Sequence, residues 1–188
     1  MSILDFEWSA ATKVGNSISQ LLPVLDNTFE TLKEQGVLDE ATHSALRSGV
    51  LPKLALKISD AELERRLREG YDFLCAGDVG KAAVSFERLC RLDPIEGRYI
   101  YALSTTFQIR EQFDVAAKLY VMSMALGMDG PEPYVRLGEC MMASGEFVDA
   151  KVALDHAIEL AGNSPVNAVA RRRARELRTI VSPKALAS

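Results

Sequence analysis

The sequence predicts an all-α protein in which three tandem helical hairpins stack into a curved right-handed superhelix, with further helices at both ends. Residues 63–96, moved forward by 34 positions, overlay 97–130 and then 131–162. Small residues recur at places eight and twenty of each copy, and a large apolar residue recurs at place twenty-four. These places hold Gly70, Ser104 and Gly138, then Ala82, Ala116 and Ala150, and then Phe86, Tyr120 and Leu154.

A period of 34 residues with this pattern is typical of tetratricopeptide repeats, each of which pairs two antiparallel helices, here named A and B. Neither helix can bury its apolar face alone, so the copies must stack. We expect the small residue at place eight to let helix A approach helix B beside the small residue at place twenty. We expect the large residue at place twenty-four to fill the space between one hairpin and the next.

Local signals mark the ends of these helices. Ser59 and Glu62 form an S-x-x-E pattern, which predicts a capping box at the start of the first A helix. Gly77 and Gly145 fall between helices A and B, where a turn favours glycine. Pro94 ends the first B helix, because its ring cannot continue the hydrogen-bond ladder.

Further helices are predicted on both sides of the repeats. Residues 16–36 carry a helical apolar stripe that ends at Gly36, and residues 38–49 form a short helix that ends at Gly49. Residues 164–181 begin Ser-Pro, with the proline at the first helical position, and cap the last repeat. The predicted organisation is an N-terminal helical segment (1–58), the repeats (59–162) and a C-terminal helix with its tail (163–188).

The composition is that of a globular protein. The 188 residues are 48% hydrophobic and 26% charged, and no run of about 20 apolar residues predicts a membrane span. The N-terminus carries acids before any apolar run, so we expect no secretory signal and a cytoplasmic location. Cys75, Cys90 and Cys140 have no metal-ligand spacing, which favours buried, reduced thiols.

Neither an enzyme nor a metal protein is indicated. The chain has no glycine-rich phosphate loop and no nucleophile elbow, and its two histidines, His43 and His156, are interpreted as structural or surface residues. We therefore expect no catalytic residue, no metal and no cofactor.

The charge is unevenly distributed. The net charge is −4, yet residues 163–188 carry six bases and one acid, including the run RRRARE at 171–176. A basic run can bind nucleic acid, but the chain as a whole is acidic and no aromatic residue is interleaved with the arginines. We interpret Arg171, Arg172, Arg175 and Arg178 as a solvated helix face and expect no direct binding to nucleic acid.

Stacked repeats form a concave groove from the inner faces of their A helices. Places two, five, nine and twelve of each unit are predicted to face it. They hold Glu64, Leu67, Tyr71 and Leu74 in the first unit, Arg98, Tyr101, Thr105 and Gln108 in the second, and Glu132, Val135, Glu139 and Met142 in the third. The leucines, Tyr71, Tyr101, Val135 and Met142 make an apolar strip, which favours a binding site unless a helix of the same chain fills it.

The composition of the groove selects among peptide ligands. A clamp for a C-terminal carboxylate needs lysine, asparagine and arginine at these places, and only Arg98 and Arg136 are near. We therefore expect an extended peptide, whose spaced apolar side chains enter the groove while its backbone amides meet Gln108 and the tyrosine hydroxyls.

Three stretches carry a more specific resemblance. FERLCRLDP (86–94), FQIREQFDVAAKLYVMSMALG (107–127) and GECMMASGE (138–146) resemble the class II chaperones of type III secretion translocator proteins. The resemblance covers about residues 40–180. It implies a cytoplasmic, non-enzymatic chaperone that keeps two hydrophobic translocators soluble and apart, with a client segment of the P-x-L-x-x-P type in the concave groove.

The resemblance also assigns positions and partners. Leu67, Tyr71 and Leu74 would line the N-terminal pocket, Tyr101, Thr105 and Gln108 the middle, and Val135, Glu139 and Met142 the far end. Arg98 is also predicted to bind the peptide. It implies a homodimer formed through residues within about 16–58, and it adds a transcriptional regulator as a further partner. No membrane insertion is implied.

Two alternatives stay open from the sequence. A tetratricopeptide adaptor that joins soluble partners in a secretion or pilus assembly would carry the same repeats. In addition, LPKLAL (51–56) contains Pro52-x-Leu54, half of a client-like motif that could occupy the groove of its own chain or of a dimer partner. We favour a linker whose leucines pack on the first A helix.

Overall fold

The computed structural model describes residues 30–48 and 50–185, and all regular secondary structure in this part of the chain is helical. The all-α prediction is confirmed. Residues 30–34 are helical, and the helices that follow in the described part are α1 (Glu40–Arg47), α2 (Pro52–Ala55), α3 (Asp60–Cys75), α4 (Val79–Leu92), α5 (Gly97–Ile109), α6 (Phe113–Ala125), α7 (Pro131–Ala143), α8 (Phe147–Ala161) and α9 (Ala168–Ala185).

The six helices from α3 to α8 form three hairpins: α3 with α4, α5 with α6, and α7 with α8. The second helix of each hairpin also packs against the helix that follows it, so α4 contacts α5, α6 contacts α7 and α8 contacts α9. A single apolar core runs through these contacts. This order of packing is that of stacked tetratricopeptide hairpins, as the period of 34 residues predicts.

The turn inside each hairpin has a positive φ at the same place of the repeat. Gly77 has φ 78° and Gly145 has φ 82°, but the corresponding residue of the second hairpin is Glu111, with φ 60°. A residue with a Cβ in this left-handed region costs about 1 kcal/mol relative to glycine. Packing of the second hairpin between its neighbours therefore holds the Glu111 turn against its local preference.

The first repeat starts where the sequence predicts. Ser59 is the N-cap of α3, and its Oγ accepts a hydrogen bond from the Glu62 N–H at 3.3 Å. The second hydrogen bond of a capping box would run from the Ser59 N–H to the Glu62 carboxylate. This part of the prediction is wrong, because the carboxylate accepts hydrogen bonds from Arg65 and Arg66 instead. These hydrogen bonds lower the pKa of Glu62 to about 2.

The small residue at place eight has a second neighbour besides the one predicted. Gly70 lies against the fully buried ring of Phe86, and a Cβ added to Gly70 would overlap that ring. At Gly138 the predicted neighbour at place twenty is present, because an added Cβ would lie 3.5 Å from the carbonyl oxygen of Ala150. A Cβ on Gly138 would likewise lie 2.8 Å from Cγ of Leu154. Place eight therefore accommodates place twenty-four of its own hairpin, one helical turn beyond place twenty.

The C-terminal helix begins and ends later than predicted. Pro165 lies in a turn, where the N–H of Asn167 bonds to Ser164 O and that of Ala168 to Pro165 O. These short-range bonds delay the α-helical pattern, so α9 begins at Ala168 and continues to Ala185.

The segment before the repeats packs on the first B helix. Arg91 of α4 donates hydrogen bonds to the carbonyls of Val37, at 2.6 Å, and Gly36, at 2.8 Å. Gly36 has φ 69° and ends the helical residues 30–34, as predicted. The rest of the predicted helix 16–36, Gly49 and the side chain of His43 lie outside the described part of the chain.

The short helix α2 lies against α4, where Lys53 anchors it. Lys53 Nζ is 2.7 Å from Oδ2 of the buried Asp93 and 3.1 Å from Oδ1 of Asp60. Leu54 is 64% exposed and Leu56 is 63% exposed. The expectation that the leucines of 51–56 pack on the protein is therefore wrong for Leu54 and Leu56, whereas Leu51 is half-buried against the core.

Two of the three cysteines are placed as predicted. Cys90 and Cys140 are buried and free, whereas Cys75 is exposed, contrary to expectation. Cys75 is the last residue of α3, next to the turn that leads to α4. Burial raises the pKa of the Cys140 thiol to about 12 and raises the pKa of Cys90 as well.

Candidate functional site

Side chains from the predicted groove places connect each A helix to the next. Glu64 of α3 forms an ion pair with Arg98 of α5 at 2.6 Å. The Gln108 amide of α5 donates a hydrogen bond to the Glu139 carboxylate of α7 at 3.0 Å. Residues at places two, nine and twelve of neighbouring A helices thus contact each other. We use the term groove for the surface that these places form on α3, α5 and α7.

The predicted groove residues differ in how much of each side chain is accessible. Tyr71 is 36% exposed and Arg98 is also exposed, whereas Leu67 (7%) and Val135 (5%) are buried. Leu67 and Val135 therefore add little accessible surface to the predicted apolar strip. Glu132 is exposed, and the remaining members are half-buried: Glu64, Leu74, Tyr101, Thr105, Gln108, Glu139 and Met142.

Aromatic pairs support the tyrosines of the groove from below. The Tyr71 ring lies 5.3 Å from that of Phe86, and the Tyr101 ring lies 5.5 Å from that of Tyr120, measured between centroids. Burial raises the pKa of Tyr71 to about 12 and also raises the pKa of Tyr101. Both phenols therefore stay protonated at neutral pH.

The middle of the groove is polar, and the B helix contributes to it. The Tyr120 hydroxyl donates a hydrogen bond to Gln108 Oε1 at 2.7 Å and lies 3.3 Å from Thr105 Oγ1. The repeat pattern predicts only a packing role for Tyr120. The sequence could have indicated this polar contact, because the hydroxyl of a tyrosine at place twenty-four lies beside places nine and twelve of the A helix in the same hairpin.

Glu139 joins three helices. Its carboxylate accepts hydrogen bonds from Gln108 of α5, from Arg136 of α7 at 3.1 Å and from Arg173 of α9 at 2.9 Å. Its side chain is 15% exposed, so these donors replace most of its hydration. Glu139 therefore organises the far end of the groove.

An open cleft of about 390 Å³ lies between α7 and α9 at this end. Its walls include Tyr101, Val135 and Glu139 of the predicted groove, together with Val169 and Arg173 of α9. The sequence predicts α9 only as a cap. The structure instead makes α9 part of the same surface.

The basic run of α9 is largely engaged within the protein. Arg171 donates to the carbonyls of Gly162 and Ser164, Arg173 pairs with Glu139, and Arg178 pairs with Asp155 at 2.7 Å. Arg171 and Arg178 of the predicted solvated face are thus half-buried and bonded within the protein. Arg172 and Arg175 are exposed, as expected.

Two further features concern the helices and the second histidine. No helix in the described ranges is long and apolar enough to cross a membrane. His156 is exposed, and its ring lies 5.9 Å from that of Tyr134.

Sequence comparison finds relatives although no protein-family model matches the chain. Low calcium response locus protein H of Yersinia pseudotuberculosis serotype I (strain IP32953) is 26% identical over 125 residues, which are 66% of this chain and 74% of that protein.

Structural comparison finds proteins of type III secretion. A T3SS complex from Aeromonas hydrophila matches with a TM-score of 0.69 and 26% identity, over 78% of this chain and 97% of that chain. The Yersinia enterocolitica type III secretion chaperone SycD in complex with a peptide of the translocator YopD matches with a TM-score of 0.63. SycD in an alternative dimer matches with 0.64. Both SycD matches are 25% identical and cover 68% of this chain, with 97% and 96% of SycD respectively.

The sequence and structural comparisons thus agree with each other and with the expectation of a non-enzymatic protein. The resemblance to type III secretion translocator chaperones that the repeat motifs predict is confirmed.

Proposed function

We propose that this protein is a chaperone of bacterial type III secretion, which holds hydrophobic translocator proteins in the cytoplasm and keeps them soluble and apart before secretion. An extended client segment lies in the groove. The observation that carries the proposal is that side chains from three successive A helices meet on one surface, in a chain that resembles a chaperone solved with a translocator peptide. A transcriptional regulator remains a further partner predicted only from the resemblance of the sequence.

The groove offers an extended segment two kinds of contact. Tyr71 and Leu74 near one end and Met142 near the other present accessible apolar surface. Between them, Gln108 keeps one amide N–H and one carbonyl lone pair after its bonds to Glu139 and Tyr120. Alternate side chains of an extended chain point to opposite sides, so every second client residue reaches the apolar positions while the backbone meets the polar centre.

The test is Tyr71→Glu in a chain co-expressed with each hydrophobic translocator protein of the same bacterium. A carboxylate at this accessible apolar position should reduce the recovered soluble translocator at least about ten-fold, because removing or charging an aromatic residue that anchors an interface commonly costs about 2 kcal/mol or more. The measurement is the amount of translocator that co-purifies with the tagged chaperone.

Val84→Glu is the matched control. Val84 lies on the B helix α4, outside the groove, and is 46% exposed, so the same charge there should leave recovery unchanged. Circular dichroism must show both variants to be helical. Equal recovery with Tyr71→Glu and wild type would move the site off the groove, and recovery of only soluble, folded partners would favour the adaptor.

We further propose that the chain forms a homodimer through its N-terminal segment, predicted within residues 16–58. Leu54 and Leu56 support this, because they are more than half exposed while Lys53 holds their helix in place. Leu54→Glu/Leu56→Glu should weaken self-association at least about ten-fold, since the substitutions remove two leucine side chains from an apolar interface. Sedimentation equilibrium measures the dissociation constant.

Val148→Glu/Val152→Glu on α8 is the control for the dimer. These valines are 52% and 39% exposed and lie far along the chain from α2. They should leave self-association unchanged. If the α8 pair dissociates the dimer and the α2 pair does not, the dimer interface is on the repeats.

A further inference from the structure

The register of the repeats continues into α9. Moving the third unit forward by another 34 residues puts places two, five, nine and twelve at Val166, Val169, Arg173 and Glu176. The structure agrees with this register independently, since Val169, Arg173 and Glu176 line the cleft between α7 and α9. α9 also packs on both α7 and α8, as the A helix of a fourth repeat would.

This fourth row presents apolar surface that residues 30–48 and 50–185 leave exposed. Val166 is 88% exposed and Val169 is 72% exposed, although both stand at groove places. Val169 shares the cleft with Val135 of α7. An apolar side chain that entered this cleft would contact both helices.

The same cleft carries hydrogen-bond donors whose partner, Glu139, already accepts three hydrogen bonds. Glu139 accepts from Gln108, Arg136 and Arg173 together. Among the hydrogen bonds within the described ranges, Arg173 uses only Nε, which leaves its Nη groups for a ligand, and its side chain is 52% exposed. Arg172, also in the cleft wall, is 77% exposed and 3.8 Å from Glu176. The cleft wall holds three arginines and three glutamates, of which Glu139 and Glu176 already pair with arginines of the wall. A carboxylate is therefore the group that the remaining donors of Arg173 complement.

We propose that α9 forms a fourth layer of the groove, which binds a client residue pair consisting of an apolar side chain followed or preceded by an acidic one. The apolar side chain contacts Val135 and Val169, and the carboxylate accepts from Arg173 and Arg172. The proposal rests on the proposed function. Packed helix axes are about 8–10 Å apart and an extended chain rises about 3.3 Å per residue, so the fourth layer adds about three residues to the bound segment.

Synthetic peptides test the fourth layer directly. The probes are a fluorescein-labelled Pro-x-Leu-x-x-Pro peptide and the same peptide extended by Leu-Asp-Gly or by Leu-Lys-Gly, at each end in turn. At one end, the Leu-Asp extension should lower the Kd about five-fold or more, and the Leu-Lys extension should have a smaller effect. Fluorescence polarisation measures each Kd.

Val169→Asp and Ile180→Asp form a matched pair for the same assay. Ile180 lies on α9 and is 53% exposed, but it is not in the cleft wall. Val169→Asp should remove the gain from the Leu-Asp extension and leave the Kd of the unextended peptide within about two-fold, whereas Ile180→Asp should change neither value.

The outcomes separate this inference from the proposed function. If the unextended peptide binds and no extension improves it, the fourth layer is overturned while the groove stands. If Val169→Asp and Ile180→Asp reduce the gain equally, the cleft is not the site. If no peptide binds although co-expressed translocator is recovered, this inference fails and the chaperone function does not.

Discussion

Replacing Phe86 with alanine is expected to lower the free energy of unfolding by about 3–5 kcal/mol, the usual cost of removing a buried aromatic ring. Phe86 is fully buried, lies against Gly70 of the facing helix and supports the ring of Tyr71. The backbone at Gly70 is fixed by the hairpin, so it cannot close the cavity. Urea unfolding followed by circular dichroism measures the change.

Two variants show whether this cost belongs to the contact between Gly70 and Phe86. Val84→Ala, at a 46% exposed position of the same helix, should stay within about 0.5 kcal/mol of wild type. Gly70→Ala should cost about 1–3 kcal/mol alone, because its Cβ overlaps the ring, and much less in the Phe86→Ala background. Additive losses in the double variant would contradict the proposed packing.

Glu139→Ala is expected to lower the free energy of unfolding by about 2 kcal/mol. Removing one partner of a buried ion pair costs about 3–5 kcal/mol, but Arg136 and Arg173 have side chains 44% and 52% exposed, so water recovers part of this. The Glu139 carboxylate joins α5, α7 and α9 together. Hydrogen exchange should therefore accelerate most in α9.

Glu139→Gln and Glu176→Ala are the comparison variants for Glu139→Ala. Glutamine can still accept hydrogen bonds but carries no charge, so its cost should lie between those of wild type and alanine. Glu176 is 55% exposed and 3.8 Å from Arg172, so its removal should cost no more than about 0.5 kcal/mol. If Glu176→Ala accelerates exchange in α9 as much as Glu139→Ala does, general charge rather than the Glu139 contact holds the helix.

Much of the candidate site follows from the repeat period. Because the period is 34, each groove place recurs on the same face of every A helix, so the period alone predicts that Glu64 and Arg98 lie side by side. Burial could not be predicted in this way. Leu67 and Tyr71 are one turn apart on one face, yet one is buried and the other accessible, because accessibility depends on what neighbouring helices place above each side chain.

The sequence by itself determined the fold class and the turns at Gly77 and Gly145, because helical period and left-handed φ are local properties that a residue type favours or forbids. Only the tertiary structure decided which side chains meet. Tyr120 reaches Gln108, Glu139 accepts hydrogen bonds from three helices, and Arg173 joins α9 to α7. These contacts join residues up to 34 positions apart, and their distances are set by how the helices pack rather than by any local preference.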